Sequence, residues 1–451
     1  MSLSRRPSPF IQVNKALSLQ HSPRLLEHRF FLSRLFHPGR DKMGSVSPAT
    51  SFAPLGETAL FKPLQLGKWQ LQHRIAQAPL TRMRNDFSSR GVYIPGPRVV
   101  KYYSDRATAG GLQLTEATDI CLDASAYPGC PGVFTQEQLE GWRKVTDAVH
   151  AKGGLILSQL WHTGRASSTG MRGGKQCVSS SDIPMSGSYL DGSSCAENPP
   201  RPLTVDEIHE LTAEWAAAAK RAINEAGFDG IEIHGANGYL LDQFLHDNVN
   251  KRTDEYGGSI ENRSRFVLEV IKAVCDAVGA ERVGIRLSPY NYFQDTRDSD
   301  PNKHWAFLCE KIAGLPATQR PAYVHMIEPR FDEVLDEQQK MESLAEYTAS
   351  TGSDTAPIKK NSLTPFRNIL KSGGIRFFAA GSFNRENAAP KVESDDTDLI
   401  VFGRHFIANP DLVERLRSGL PLNPYDRTTF YGADPPEKGY NDYPFYADIK
   451  N

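Results

Sequence analysis

Three polar side chains of different chemistry follow one apolar run near the middle of the chain. In the stretch IEIHGANGYLLDQF, residues 231–244, His234, Asn237 and Tyr239 fall within six positions. The residues between them are glycine and alanine, which let the backbone turn tightly enough to bring an imidazole, a carboxamide and a phenol into one pocket. A phenol, with a reference pKa of about 10, is neutral at physiological pH and has a proton to give. Taken singly, His234 and Tyr239 are also compatible with plain packing in a core.

The segments around this stretch alternate between short apolar runs and longer helix-like stretches. Strands are predicted at residues 75–78, 112–115, 155–159, 230–234, 283–287, 322–327, 376–380 and 399–402. Helices are predicted at residues 136–151, 204–226 and 262–278, and the second begins with a Thr204–Glu207 spacing typical of a capping box. Eight such strands, with no break in composition between them, predict one α/β domain, a single (β/α)8 TIM barrel.

A hairpin precedes the first barrel strand. Residues 61–66 and 69–71 are largely apolar and turn at Gly67-Lys68, so we expect this hairpin to cap the N-terminal mouth of the barrel. A doubly wound open sheet is the alternative, but the first strand is not followed by a G-x-G-x-x-G turn. The irregular stretches 170–201 and 330–364 both follow strands, so we expect them over the C-terminal face, where barrel active sites form.

The overall composition excludes several classes of protein. The 52 basic and 53 acidic residues of the 451-residue chain nearly cancel, which argues against nucleic-acid binding because that affinity depends on a basic face. No apolar run approaches the ~20 residues that span a bilayer, so we expect no membrane contact. The six cysteines contain no C-x-x-C pair, so the sequence predicts reduced thiols, no metal site and a cytoplasmic protein.

The first 42 residues differ in composition from the rest. They are rich in arginine and serine, and Glu27 and Asp41 are their acidic residues. This composition is typical of a mitochondrial or other organellar targeting segment, but a disordered tail, or an upstream start with Met43 as the functional initiator, explains it as well. We therefore divide the chain into an N-terminal extension (1–42), a linker (43–59) and a barrel domain (60–451).

Residues at the C-terminal ends of barrel strands converge on one cavity. The predicted ends supply hydrogen-bond donors, acceptors and cations: Pro79-Leu80-Thr81, Thr115-Glu116-Ala117, Gln159-Leu160-Trp161, His234, Arg286, Gly381-Ser382 and Gly403-Arg404. With few carboxylates and no Cys/His cluster, this set suits a planar polar heterocycle better than hydrolysis or metal catalysis. The two Gly-containing pairs also match the usual barrel phosphate site, although glycine is common in any turn.

Longer motifs extend this pattern over most of the chain. They are APLTRMR (78–84), SQLWHTGRAS (158–167), EIHGANGYLLDQFLHDNVNKRTDEYGGSIENRSRF (232–266), VGIRLSP (283–289), FGRHFIANPDLVERL (402–416) and FYGADPPEKGYNDYP (430–444). In this order the motifs resemble those of the Old Yellow Enzyme family of FMN-dependent ene-reductases. The resemblance implies a (β/α)8 barrel with FMN at its C-terminal face and NAD(P)H as the reductant.

The same resemblance implies a set of contacts with FMN. The expected contacts are Pro79, Leu80, Thr81, Ala117 and Gln159 around the flavin, Arg286 beside its N1–C2 carbonyl region, Gly381, Ser382, Gly403 and Arg404 at the phosphate, and Phe430 and Tyr431 at the dimethylbenzene end. An arginine stays ionised throughout, so Arg286 should favour the reduced anionic flavin. Ala117 and Ser382 depart from members that have Gly and Asn there, but both positions act largely through backbone amides, so FMN binding should survive.

The resemblance also implies a role for the polar residues of the stretch 231–244. His234 and Asn237 would donate to the carbonyl oxygen of an α,β-unsaturated substrate, and Tyr239 would protonate its α-carbon as the general acid. Trp161 would form a wall of the substrate pocket. The expected activity is a ping-pong reduction of activated alkenes by NADPH through FMN, in secondary-metabolite tailoring or detoxification. Residues 330–364 share little with the family beyond IEPR, so the substrate and the nicotinamide preference stay open.

Other activities are compatible with parts of this pattern. A flavin-dependent isomerase would be favoured by loss of the Tyr239 proton donor. A non-catalytic flavin- or ligand-binding protein would lack His234, Asn237 or Tyr239. An iron–sulfur branch of the family needs closely spaced cluster cysteines, whereas the nearest pair here, Cys121 and Cys130, is nine positions apart. The expected partners are a small-molecule substrate and NADPH, and the expected assembly is a monomer or homodimer.

Overall fold

The structure, a computed structural model, describes residues 52–89, 91–331 and 361–449. The expected N-terminal extension, residues 1–42, lies outside the described residues, as does most of the second irregular stretch. In the described part of the expected linker, the amides of Phe52, Leu55 and Gly56 donate to the carbonyls of Gly419, Leu416 and Arg417 at 2.8–3.1 Å. This segment is therefore bonded to the C-terminal end of the helix Leu412–Ser418.

Eight parallel strands form the centre of the molecule. We label them β1 (Ile75–Gln77), β2 (Leu112–Leu114), β3 (Leu155–Trp161), β4 (Gly230–Gly235), β5 (Val283–Leu287), β6 (Tyr323–Ile327), β7 (Arg376–Ala380) and β8 (Leu399–Phe402). Shorter strand pairs are Leu64–Leu66 with Trp69–Leu71, Asp86–Phe87 with Tyr93–Ile94, and Val178–Ser179 with Arg201–Pro202, and Thr118–Asp119 pairs with the end of β3.

Helices follow most of these strands. They are Pro97–Arg106, Gln136–His150, Val205–Asn224, Leu240–Leu245, Ile260–Val278, Pro301–Ala313, Thr364–Ser372, Ala388–Glu393, Arg404–Ala408, Leu412–Ser418 and Tyr446–Ile449. The predicted capping box is confirmed: Thr204 Oγ1 accepts from the amide of Glu207, and the Glu207 carboxylate accepts from the amide of Thr204. Both orphan amides at this helix start are therefore satisfied.

The strands close into a barrel. Each pairs with the next along the chain, and β8 returns to β1 with Ile400 opposite Ile75. The closed parallel sheet confirms the predicted (β/α)8 barrel, and the open-sheet alternative is wrong. Parallel strands end on the same side, so the residues after β1 to β8 share one face of the barrel.

The predicted hairpin caps the other face. Leu64, Leu66 and Leu71 are buried in the same cluster as the barrel-lining residues Leu112 and Val401. The hairpin is shorter than predicted because Ala59–Phe61 forms a 3-10 turn ahead of it.

Outside the barrel, a second apolar cluster fills the space between strands and helices. The Gly/Ser-rich stretch 170–201 lies beside the helix Leu240–Leu245, where Ser180 Oγ donates to the carbonyl of Gln243 at 2.9 Å. Within the described residues, no helix is long and apolar enough to cross a membrane. In the same part of the chain, no group of three or more His, Cys, Asp and Glu residues could hold a metal ion.

Candidate active site

The turn after β4 places His234 and Asn237 at the C-terminal face. Both are buried, with 4% and 6% of their surface exposed. Asn237 and Gly238 have φ angles of 59° and 74°, so the chain reverses direction within two residues. A Cβ at Gly238 would lie 2.7 Å from the Cβ of Gln294 and would clash, so this position requires glycine.

Hydrogen bonds from neighbouring elements hold this turn. The amide of Asn237 donates to Ser288 Oγ after β5, and the amide of Gly238 donates to Asp242 Oδ2, both at 2.8 Å. Tyr239 is the N-cap of the helix Leu240–Leu245. The direction in which its side chain leaves the backbone is therefore set by the turn and the helix together.

An aromatic cluster surrounds the turn. The ring centroid of Tyr239 is 4.6 Å from that of Trp161 and 5.1 Å from that of His234, at interplanar angles of 73° and 72°. Trp161 stacks on the His234 imidazole at 6.3 Å and 18°. Tyr127 packs against Trp161 and Tyr239 at 5.4 Å and 6.4 Å. The structure thus brings the side chains of Trp161, His234 and Tyr239 together.

Tyr127 was missed by sequence reasoning. It lies in the irregular segment after the short strand Thr118–Asp119, where no periodicity distinguishes it. A signal was available, because loops on the C-terminal face of a barrel supply site residues and an aromatic side chain in one of them is a candidate pocket wall.

Burial determines the protonation states of His234 and Tyr239. Loss of water, reinforced by the charge of Arg286, holds the pKa of His234 well below its usual value, so its imidazole is neutral at physiological pH. Loss of water also raises the pKa of Tyr239 well above its usual value, and the nearby hydroxyl of Tyr127 adds to the rise. The turn therefore presents a neutral imidazole and a phenol that keeps its proton.

Arg286 and Gln159 lie beside this group on the inner wall of the barrel. In the strand register, Arg286 stands between His234 on β4 and His325 on β6. Gln159 Nε2 donates to Glu232 Oε1 at 2.8 Å, which holds the carboxamide in one orientation. The two polar residues expected at the flavin are thus close to the turn that carries the expected catalytic residues.

The ends of β7 and β8 form a concave backbone surface. Gly381 and Ser382 have φ angles of 115° and 52°. Gly403 is the N-cap of the helix Arg404–Ala408 on the neighbouring strand end. Backbone amides that follow positive φ angles point into a common concavity that suits an anion. The Arg404 guanidinium lies over the Phe331 ring, 5.2 Å from its centroid, next to this surface.

The C-terminal segment is tied to the loop after β1 by a buried arginine. Arg82 is 1% exposed and donates to the carbonyls of Phe430, Thr429 and Gly439 at 3.0, 3.3 and 2.7 Å. Arg84 adds a bond to Thr429 at 2.9 Å. Phe430 and Tyr431 are therefore held at the C-terminal face, although sequence reasoning assigned no role to the arginines of APLTRMR.

The other expected contacts follow β1 and β2. Pro79 is buried, Leu80 and Thr81 are partly exposed, and Ala117 is 3% exposed. Leu80 Cδ2 lies 3.5 Å from the position a Cβ would take on Gly403. The loop after β1 therefore reaches the concave surface at β8.

The residues at the C-terminal face of the barrel fit FMN. The concave surface at Gly381 and Ser382 suits its phosphate, and Arg286 and Gln159 supply charge and amide groups for the ring. Within the described residues His234 Nδ1 is buried without a hydrogen-bond partner, as expected for a group that faces a bound molecule.

Comparison with known proteins gives the family. The model of the NADH:flavin oxidoreductase / NADH oxidase family matches residues 59–423. The chain is 61% identical to flavin oxidoreductase hxnT of Emericella nidulans over 89% of this chain and 100% of that protein. It is 44% identical to 12-oxophytodienoate reductase 1 of Oryza sativa subsp. japonica over 86% of this chain and 94% of that protein.

A solved structure of morphinone reductase has the same fold, with a TM-score of 0.74, 38% identity, and coverage of 89% of this chain and 99% of that chain. A second one, in complex with tetrahydroNAD, has a TM-score of 0.72 and 37% identity, and covers 87% of this chain and 99% of that chain. The Old Yellow Enzyme resemblance is therefore confirmed, with FMN as the cofactor and a nicotinamide as the reductant. The chain belongs to the NADH:flavin oxidoreductase / NADH oxidase family.

Proposed function

We propose that this protein is an ene-reductase that saturates the C=C bond of α,β-unsaturated carbonyl compounds, with NADPH as the expected reductant. A relative named as a 12-oxophytodienoate reductase supports a reductase, and a neighbour solved with tetrahydroNAD supports a nicotinamide as the electron source. NADPH and the alkene would bind one after the other at the C-terminal face of the barrel, which gives the ping-pong order.

One observation carries the proposal. A neutral imidazole and a protonated phenol, His234 and Tyr239, lie 5.1 Å apart between ring centroids on one turn. Alkene reduction of this kind needs a hydrogen-bond donor at the carbonyl oxygen and, two bonds from that oxygen, an acid that still carries its proton. A hydrolase or a metal enzyme would need a nucleophile or a ligand cluster instead.

The chain's own residues would act on the carbonyl and on the α-carbon. Bound FMN supplies the hydride that passes from the nicotinamide to the β-carbon of the alkene. His234 and Asn237 would donate to the carbonyl oxygen and stabilise the negative charge that develops there. A neutral imidazole has one N–H, so the nitrogen that faces the substrate must carry it.

Tyr239 would complete the addition. Its phenol would transfer a proton to the α-carbon, so the C=C bond gains one hydride and one proton, and the phenolate regains its proton from solvent. Trp161 and Tyr127 would form the walls beside it and limit the entry of water. The half-buried position of Tyr239 allows this exchange with solvent.

The test follows the flavin colour under anaerobic conditions. NADPH should bleach the purified yellow protein, and cyclohexenone should restore the colour. In Tyr239→Phe we expect the recolouring to slow by about 10²–10⁴-fold, the usual contribution of a general acid, while bleaching by NADPH keeps its rate.

Tyr256→Phe is the matched control, because the Tyr256 ring is buried in the apolar cluster outside the barrel and its hydroxyl donates to Glu269 on the helix Ile260–Val278. It should leave both half-reactions unchanged. Flavin that bleaches but recolours with no enone tested would contradict alkene reduction. Equal slowing of both half-reactions in Tyr239→Phe would contradict the role of the phenol.

A further inference from the structure

A buried carboxylate lies inside the barrel below the site and has no part in the reaction described above. Glu232 is fully buried in the middle of β4. Its neighbours Ile231 and Ile233 belong to the apolar cluster between strands and helices. Side chains alternate along a strand, so Glu232 and His234 both face the barrel interior.

Three donors surround this carboxylate. Gln159 Nε2 donates to Oε1 at 2.8 Å, and His325 Nδ1 and the Tyr323 hydroxyl donate to Oε2 at 2.9 and 3.1 Å. His325 is fully buried and Tyr323 is 1% exposed. A carboxylate that accepts from three donors is held in one position and in its ionised form.

The absence of a side chain at Gly284 leaves room for the Tyr323 ring beside Glu232. Gly284 on β5 lies opposite Glu232 in the strand register. A Cβ on Gly284 would come within 2.0 Å of the Tyr323 ring, so the ring occupies the space that a larger residue would fill. The Tyr323 ring is also stacked on Phe378 at 4.2 Å and 15°. The phenol on β6 can therefore reach across β5 to the carboxylate on β4.

The charges of this group are balanced by Arg286. Burial raises the pKa of Glu232, but the hydrogen bonds from His325 and Gln159 and the charge of Arg286 outweigh it and leave the pKa below its usual value. Glu232 is therefore an anion at physiological pH. It is the fixed counter-charge of the cation expected beside the flavin.

We propose that Glu232 is a positioning residue that sets the reduction potential of bound FMN, by opposing the charge of Arg286 and by orienting the Gln159 carboxamide. The inference rests on the proposed function, which places Arg286 and Gln159 at the flavin. A fixed negative charge in a low-dielectric interior disfavours the additional negative charge of reduced flavin. Glu232 keeps the potential low enough for the flavin to pass its hydride to an alkene.

The test is the midpoint potential of the FMN-loaded protein, measured against a reference dye. Glu232→Gln removes the charge and keeps the shape. We expect it to shift the ratio of affinities for reduced and oxidised FMN at least tenfold toward the reduced form, which corresponds to a rise of about 30 mV for a two-electron couple.

Asp298→Asn is the matched control. Asp298 is also a buried carboxylate paired with a histidine, His304, at 2.9 Å, but it lies outside the barrel interior. Its loss should leave the potential unchanged. A potential that is the same in Glu232→Gln and the wild type, or that rises equally in Asp298→Asn, would overturn the inference.

Tyr323→Phe should change the midpoint potential in the opposite direction. This variant tests the inference even if Glu232→Gln does not fold. It removes one donor from the carboxylate and keeps the negative charge, so we expect the potential to fall below that of the wild type. An unchanged or higher potential would overturn the inference. Wild-type protein whose FMN is not reduced by NADPH would overturn the proposed function itself, which separates the two failures.

Discussion

Replacing Gly238 with alanine should destabilise the protein and displace its expected proton donor. Gly238 has a φ of 74°, and a Cβ there would lie 2.7 Å from Gln294 Cβ and 2.8 Å from the carbonyl oxygen of Phe293. Both neighbours belong to the loop after β5, so relief of the clash must move either that loop or the turn that carries Asn237 and Tyr239.

The expected magnitude has two parts. A left-handed backbone costs a residue with a Cβ about 1–2 kcal/mol. Overpacking a close contact costs about 1–3 kcal/mol more. We therefore expect Gly238→Ala to lower the free energy of unfolding by about 2–5 kcal/mol. A displacement of about 1 Å at Tyr239 should slow recolouring of the flavin by cyclohexenone about 10²-fold.

Gly187→Ala isolates the clash from the backbone strain. Gly187 has a φ of 77°, and no atom lies within 4 Å of the position its Cβ would take. In urea denaturation it should lose about 1–2 kcal/mol and keep the wild-type recolouring rate. If the two variants lose the same stability, or if Gly238→Ala recolours at the wild-type rate, the steric argument is refuted.

Two other perturbations test the surroundings of the site. Burial raises the pKa of Asp119 from 3.8 to about 8, so the folded protein holds this proton in a pH range where the unfolded chain releases it. As the pH rises between these values, the free energy of unfolding should therefore fall by up to about 1.4 kcal/mol per pH unit. Urea denaturation at several pH values should show a weaker pH dependence of this free energy in Asp119→Asn than in the wild type. The same pH dependence in both proteins would contradict the raised pKa of Asp119. Arg82→Met leaves the carbonyls of Phe430 and Gly439 without their donor, while the carbonyl of Thr429 keeps its bond from Arg84, and we expect it to cost about 4 kcal/mol and to release FMN on gel filtration. Full FMN retention in that variant would show that the C-terminal segment does not depend on Arg82.

Local patterns predicted the elements of this fold well. The prediction for β5, residues 283–287, matches the observed Val283–Leu287, and the Thr204–Glu207 spacing marks an observed capping box. Such features depend on neighbours a few positions away, so the sequence shows them directly. The face that holds the site was also predictable, because the parallel topology puts every strand end on one side.

The contacts that organise the site join residues that are far apart in the sequence. Glu232 meets His325 across 93 positions of the chain, and Arg82 meets Gly439 across 357. Tyr127 joins Trp161 and Tyr239 from a loop without a regular pattern. No periodicity or spacing predicts such pairs, since each forms only after the barrel has closed.

The sequence by itself thus determined the barrel, the face of its site, and, through long motifs, the family and the cofactor. The tertiary structure decided which side chains touch and which protonation states they hold. Protonation depends on the removal of water and on charges brought close by folding, as the neutral His234 beside Arg286 illustrates. These quantities come from three-dimensional packing, and a linear pattern of residue types does not contain them.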